Sequence, residues 1–341
     1  MLIRARAPLR LGLAGGGTDV SPYCDTYGGF VLNGAIDRYA YAVIKPLTDK
    51  VVRFVATDQQ IVATSKIEDL PTWNCRLALH NAVFEYMMKA FNSGKPIPME
   101  VATFCDVPMG SGLGASSTLV VAMIRAYAEL FNLPLDDYAT ARLAYKIERV
   151  DCGLQGGRQD QYSATFGGFN FMEFYEKERA VINPLRIKHW IICELEASLL
   201  LFYTGSSRES ARIIADQSNN VKEGAPSTLN AMHGIKREAV AMKESLLRGD
   251  FSAFVESMRE AWENKKRTAA SVSNAGMDRI YQAALSAGAL AGKVSGAGGG
   301  GYMLFFVPME KRMDVIKALG KFGGHIENCH FTKHGSYAWR A

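Results

Sequence analysis

Hydrophobic positions along this chain change period several times, and each change marks an element. Leu9, Leu11 and Leu13 alternate with Arg10, Gly12 and Ala14, the period of a strand with one apolar face, which predicts Arg10 on the other face. Strand-like runs follow at 30–32, 39–44, 51–55 and 100–104. The spacing of Leu79, Val83, Tyr86, Met87 and Ala90 predicts a helix over 76–91, the apolar run 119–131 predicts a second, and 137–150 a third that carries Glu148. Past Gly167 and Gly168 the pattern shifts to aromatic strands at 169–175 and 198–203, long helical stretches at 228–247 and 251–266, and a strand at 302–307. That shift predicts two domains, 1–168 and 169–341.

Glycine interrupts the pattern at functionally suggestive places. In Pro108-Met109-Gly110-Ser111-Gly112-Leu113-Gly114-Ala115-Ser116-Ser117-Thr118 three alternate glycines run straight into the 119–131 helix. Such a turn lets a ligand's oxygens reach backbone N–H groups at a helix N-terminus, so it reads as a phosphate cradle. The hydroxyls of Ser116, Ser117 and Thr118 are placed to cap the helix or to reach a metal. There is no lysine, which disfavours a Walker loop, whereas Gly110-x-Gly112-x-x-Ala115 matches a relaxed dinucleotide fingerprint. A second helix follows instead of the acidic-ended strand that a dinucleotide fold needs, so that reading is the weaker alternative.

Other glycine loops flank this one. Gly15, Gly16 and Gly17, followed by Thr18 and Asp19, end the first strand in a turn suited either to hydroxyl recognition or to simple chain reversal. The loop 153–162 contains Arg158 and Asp160, the latter a turn former or a catalytic carboxylate. Ser295-Gly296-Ala297-Gly298-Gly299-Gly300-Gly301 lies between two strands, where four consecutive glycines suit a close backbone approach to the cradle or to a ligand, or else a flexible connection. Ser206 and Glu209 have capping-box spacing, with Arg208 between them where an anion would be held.

Composition narrows the choice. Across 341 residues, 48% hydrophobic and 21% charged, the formal charge of +5 is mild and its cations are scattered, which points away from nucleic acid and leaves room for an anionic small substrate. Six cysteines without a C-x-x-C pair fit reduced thiols. Arg4, Arg6 and Arg10 break up the apolar N-terminus, and no run is long enough for a membrane span, so the expected location is the cytoplasm, with no membrane partner. The sequence is compatible with a homo-oligomer.

Taken together, the three glycine motifs in this order resemble those of the GHMP kinase superfamily, the small-molecule kinases that include galactokinase, homoserine kinase and mevalonate kinase. Within it, Arg10 to Tyr23 and Gly157 to Tyr162 look like the D-glycero-D-manno-heptose 7-phosphate kinases, and the first motif is similar to that of fucokinases too. The resemblance implies a two-domain α+β fold with ATP and substrate in the interdomain cleft, and transfer of phosphate to the anomeric C1 hydroxyl of a heptose 7-phosphate on the way to nucleotide-activated heptose. A non-catalytic ATP- and sugar-binding sensor is the alternative of a different class. By resemblance, the cradle from Pro108 to Thr118 holds the phosphates of ATP, and Mg²⁺ sits on Glu148 with Ser116 or Ser117. Asp160 is then the base, with Arg10 beside it. Gly15 to Gly17, Thr18 and Asp19 grip the phosphosugar, Gly298 and Gly299 approach it, and Arg158 and Arg208 are candidates for holding its phosphate.

Overall fold

The computed structural model describes residues 2–70, 77–205 and 210–341. In chain order the first half runs β1 (Ile3–Ala14), α1 (Tyr23–Tyr27), β2 (Gly29–Pro46), β3 (Val51–Ala56), β4 (Ile61–Lys66), α2 (Ala78–Phe91), β5 (Met99–Cys105), α3 (Ala115–Phe131), α4 (Asp137–Tyr145) and α5 (Gln159–Phe166). The second half runs β6 (Phe169–Phe174), β7 (Ala180–Pro184), α6 (His189–Ser198), β8 (Leu199–Tyr203), α7 (Ser210–Lys222), α8 (Pro226–Arg248), α9 (Phe251–Lys266), α10 (Ala275–Ser286), β9 (Ala291–Val294), β10 (Tyr302–Phe306), α11 (Arg312–Leu319), β11 (His325–Asn328) and β12 (Tyr337–Arg340).

Among the described residues these strands form two sheets. The larger has the order β12-β1-β2-β5-β3-β4, with β6 on β2 and β7 on β6; the smaller is antiparallel, β11-β8-β10-β9. The runs expected at 30–32 and 39–44 are one strand, β2, because β1 pairs along both its halves while β6 takes the first half and β5 the second. The boundary expected at residue 168 falls inside the larger sheet's territory. β6, β7 and β12 all come after it and join that sheet, since an exposed sheet edge gains from any complementary strand whatever its place in the chain.

Packing sets what β1 can present. Leu9, Leu11 and Leu13 are fully buried, and Val120, Met123, Ile124 and Tyr127 of α3 belong to the same core cluster. Burying one such aliphatic side chain stabilises a fold by about 1.5–3 kcal/mol. The opposite face is buried too, so Arg10 does not reach open water as an alternating strand would suggest. A second core joins β8, β9 and β10 to α10 and α11 through Phe202, Phe305, Met277, Ala284 and Val315. Two local departures bear on the site. The helix expected over 137–150 is α-helical only to Tyr145 and continues as a π-helix over Lys146–Asp151, and Asp160 lies in the first turn of α5 rather than in a loop.

Candidate active site

A cleft of about 690 Å³ opens where the loops of the larger sheet meet α7, α8, α9 and β9. Its floor is the cradle. Gly114, the N-cap of α3, takes φ +81° and no side chain caps the helix. The carbonyls of the turn are drawn back into the protein: Ser111 accepts from the Tyr302 N–H (2.9 Å), Gly112 from Arg10 Nη1 (2.6 Å) and Ser295 Oγ (2.9 Å), and Leu113 from the Arg10 N–H (3.2 Å). The first N–H groups of α3 have no helical acceptors, and together with the helix dipole they suit an anion.

The hydroxyls after the turn divide in a way spacing could not show. Ser116 lines the cleft and donates to Glu148 Oε1 at 2.8 Å. Ser117 is buried and accepts from Arg149 Nη2 (3.1 Å) and Gln161 Nε2 (3.2 Å), while Thr118 donates back to the Gly114 carbonyl (2.9 Å). Ser111 and Leu113 are buried behind the turn and Pro108 is exposed beside it. The side chains of Ser111, Leu113, Ser117 and Thr118 are buried and do not line the cleft, the last two because α3 turns them toward the core, so any contact of these positions with a ligand is through their backbone.

Asp160 faces Gly114 so closely that a Cβ there would stand 3.2 Å from its Cγ. Arg10 grips one oxygen only: Nε and Nη2 each lie 2.7 Å from Oδ1. No described protein group is hydrogen-bonded to Oδ2. The pair thus couples three separate stretches, since Arg10 also holds the Gly112 carbonyl. Next to it, Gln159 donates its N–H to Asp19 Oδ2 (3.0 Å) and its Nε2 to Asp19 Oδ1 (3.1 Å), which also accepts from the Gly17 N–H (3.0 Å). Asp19 lines the cleft and locks Gly17 to α5. Thr18 does not line it; its buried hydroxyl donates to the Gly15 or Phe30 carbonyl and accepts from the Phe30 N–H.

Glu148 sits on the π-helix, fully buried, where Oε1 accepts from Ser116 and Oε2 from Gln161 Nε2 (2.7 Å), and Arg149 Nη1 stands 3.4 Å from Oε1. A hydroxyl and a carboxylate oxygen this close are hard donors. Among the described residues no group of three or more His, Cys, Asp or Glu is gathered to hold a metal alone. One carboxylate and a hydroxyl suit a cation such as Mg²⁺, which keeps waters and shares phosphate oxygens.

Two lysines complete the cleft, and sequence reasoning passed over both. Lys293 on β9 donates to the Gly12 (2.6 Å) and Leu13 (3.0 Å) carbonyls, and burial, with help from Lys265 and Arg10, pulls its pKa down to about 7. Lys265 on α9 donates to the Gly16 carbonyl (2.9 Å), with its pKa pulled down to about 8, chiefly by burial. Lys293 had a signal, being the residue that leads into the third glycine run. Lys265 had none, standing in a Lys-Lys-Arg run that reads as a solvated helix end.

Other expected contacts are elsewhere. Arg158 does not line the cleft: Nη1 donates to the Tyr175 carbonyl (2.8 Å) and Nη2 to Asp25 (3.1 Å), so its charge is spent on joining α5 to α1 and β6. Gly298 and Gly299 pack on Val272, whose carbonyl accepts the Gly299 N–H (2.9 Å), and it is Gly296 and Ala297 that face the cleft. Arg208 lies outside the described residues. Gly15, Gly16 and Gly17 do line the cleft.

Known proteins resemble this chain in sequence and fold. The family described as GHMP kinases N terminal domain matches residues 78–168, and GHMP kinases C terminal matches 242–325. The chain is 46% identical over 338 residues, 99% of each chain, to D-glycero-alpha-D-manno-heptose 7-phosphate kinase of Campylobacter jejuni. It superposes with TM-score 0.84 and 39% identity, over 99% of both chains, on a crystal structure described as D-glycero-D-manno-heptose 1-phosphate kinase of Bacteroides thetaiotaomicron. Lactococcus lactis galactokinase complexed with galactose gives TM-score 0.77 at 16% identity over 98% of this chain and 94% of that one, a likeness of fold alone. Among the described residues no helix is long and apolar enough to cross a membrane.

Proposed function

This chain belongs to the GHMP kinases and is an ATP-dependent phosphotransferase acting on a sugar hydroxyl; we propose that its acceptor is D-glycero-D-manno-heptose 7-phosphate, phosphorylated on C1 to the 1,7-bisphosphate. The 46% identity to a heptose 7-phosphate kinase supports the acceptor, and the observation that carries the chemistry is the one-sided grip on Asp160. Arg10 holds Oδ1, the Asp160 oxygen nearest Gly114, and Oδ2 is hydrogen-bonded to no described protein group. In the proposed reaction the C1 oxygen bonds to the γ-phosphorus, the bond from that phosphorus to the ADP oxygen breaks, and the hydroxyl proton passes to Asp160 Oδ2. Arg10 offsets charge as it develops and, through the Gly112 carbonyl, keeps cradle and base in register.

The uncapped start of α3 and the turn from Gly110 to Gly114 would hold the phosphates of ATP. Mg²⁺ would be held by Ser116 with Glu148, and when bound it neutralises charge on the transferring phosphates. Asp19 and the 15–17 backbone would orient the sugar, with Gln159 fixing Asp19. Three groups that must be brought together, from β1, α3 and α5, are positioned by rigid elements, and such preorganisation lowers the barrier more than the same groups on mobile loops would. An ATP-consuming reaction and five described cysteines that are free thiols fit a cytoplasmic setting.

The two relatives' names place the substrate phosphate differently, on C7 in one and on C1 in the other. An enzyme-linked assay of ADP release separates these cases. We expect turnover with heptose 7-phosphate and none with heptose 1-phosphate, sedoheptulose 7-phosphate, L-fucose, galactose or mannose. Turnover of heptose 1-phosphate would move the acceptor to the other end of the sugar, and turnover of L-fucose alone would make the chain a fucokinase. Binding of ATP and sugar without ADP release would make it a sensor.

A further inference from the structure

We infer that Lys265 is the cation that binds the phosphate of the sugar substrate and sets the preference for a phosphorylated sugar. The inference rests on the reading above that the acceptor is a phosphosugar.

Among the described residues four cations line the cleft: Arg10, Arg149, Lys265 and Lys293. Three are engaged. Arg10 is paired with Asp160 and bonded to the Gly112 carbonyl; Arg149 lies on Glu148, Ser117 and the Gln155 carbonyl; Lys293 binds two carbonyls of β1. Lys265 alone of the four makes a single hydrogen bond, to the Gly16 carbonyl, and has no carboxylate within 4.0 Å among the described residues. An ammonium carries three donors, so two are left for a ligand.

Its surroundings suit the sugar end of the cleft. Lys265 lies under the first glycine loop, where a Cβ on Gly17 would stand 2.8 Å from Nζ, so the absence of a side chain there makes room for the ammonium. Gln217 is beside it, its Oε1 3.7 Å from the same point, and Ala261 and Ile235 supply an apolar wall for the carbon face of a sugar. A cation held in a half-buried wall without a paired carboxylate is costly: burial is the largest cause of the fall of its pKa to about 8, Asp19 acts against the fall without pairing with it, and Arg10 adds to it. A phosphate dianion would supply the direct ion pair that Asp19 does not make. A brace for the Gly16 carbonyl would need only one donor and no charge, which is the distinction the experiment exploits.

The test compares Lys265→Met, and Lys265→Gln, which keeps a donor for Gly16 but loses the charge, against the wild type. KM and kcat are measured for heptose 7-phosphate and for the same heptose without phosphate, with KM for ATP alongside. A lost charge-assisted contact predicts that KM for the phosphosugar rises about 10- to 100-fold in both variants. KM for the unphosphorylated heptose should stay within about threefold, with KM for ATP unmoved. An equal rise for both sugars would make Lys265 a brace, and an unchanged preference would remove it from the site; both overturn the inference. So would a preference that survives in Lys265→Met and disappears in Arg208→Ala. Failure of the underlying reading is visible earlier, as a wild-type enzyme that does not distinguish the two sugars.

Discussion

The cradle before α3 and the run between β9 and β10 are both rich in glycine, yet Gly114 in the one and Gly298 and Gly301 in the other face different things. In the cradle Gly114 faces the side chain of Asp160 and the open cleft; in the later run a Cβ on Gly301 would lie 2.3 Å from the Ser111 carbonyl oxygen, and one on Gly298 would lie 2.5 Å from that of Val272. Gly114 gives up a side chain so that chemistry can approach, Gly298 and Gly301 so that backbones can touch. The two runs meet at Gly112 and Gly296, where a Cβ on Gly112 would stand 2.5 Å from the Ser295 carbonyl oxygen. The later run makes the cradle possible, because Ser295 Oγ and the Tyr302 N–H bind the carbonyls of the cradle and fix its shape.

Substitutions separate the two uses. On the cradle side, Asp160→Asn should lower kcat about 10²- to 10⁴-fold, the usual effect of losing a general base, with the dissociation constant for ATP little changed; steady-state kinetics and calorimetric ATP titration check both halves. A variant of nearly full activity would mean that positioning alone carries the reaction. On the backbone side, Gly301→Ala combines φ +82° with a collision and should cost about 2–4 kcal/mol of stability, read from the urea midpoint. Gly153→Ala, at φ +67° in open space, should cost only about 1 kcal/mol. Equal losses would erase the distinction between the touching glycine and the merely turned one.

Smaller effects sharpen the cradle itself. Ser116→Ala should raise the Mg²⁺ concentration at half-maximal rate about tenfold, whereas Ser117→Ala, removing a buried acceptor of two hydrogen bonds, should cost about 1 kcal/mol of stability and move the Mg²⁺ requirement less. A larger Mg²⁺ shift in Ser117→Ala would exchange their roles. The pH profile gives the smallest signal. Lys265 must be protonated to hold an anion, and its pKa is lowered to about 8, so kcat/KM for the phosphosugar should fall several-fold as pH rises from 7.5 to about 9. Lys293, lowered to about 7, loses its charge first, but a neutral amine still donates to the Gly12 and Leu13 carbonyls. Lys265→Arg keeps its charge throughout and should flatten this limb; a limb that persists belongs to another group.

Much of the site was legible in the residues because local pattern and ligand chemistry coincide there. The alternation of Leu9, Leu11 and Leu13 announced β1, the alternate glycines announced a helix-capping anion turn, and Arg10, Asp160, Glu148 and Ser116 were all named as candidates that the fold does bring to one cleft or its wall. The third glycine run was expected to approach the cradle, and it does.

What the sequence by itself determined is thus the set of local elements and the pool of polar groups near the glycine turns, since turn chemistry and hydrophobic period act over a few residues. Which members of that pool stay free was decided only by tertiary packing. Arg158 and Asp25 are 133 positions apart and neutralise each other, Ser117 and Thr118 face the core because α3 rolls them there, and Lys265 reaches Gly16 across 249 positions to line a cleft. β6, β7 and β12 likewise join a sheet begun by β1, far away in sequence. The physical reason is the same in each case: a charge or a strand edge is satisfied by whatever partner the fold brings within a few ångströms, and that distance is not encoded in any local spacing.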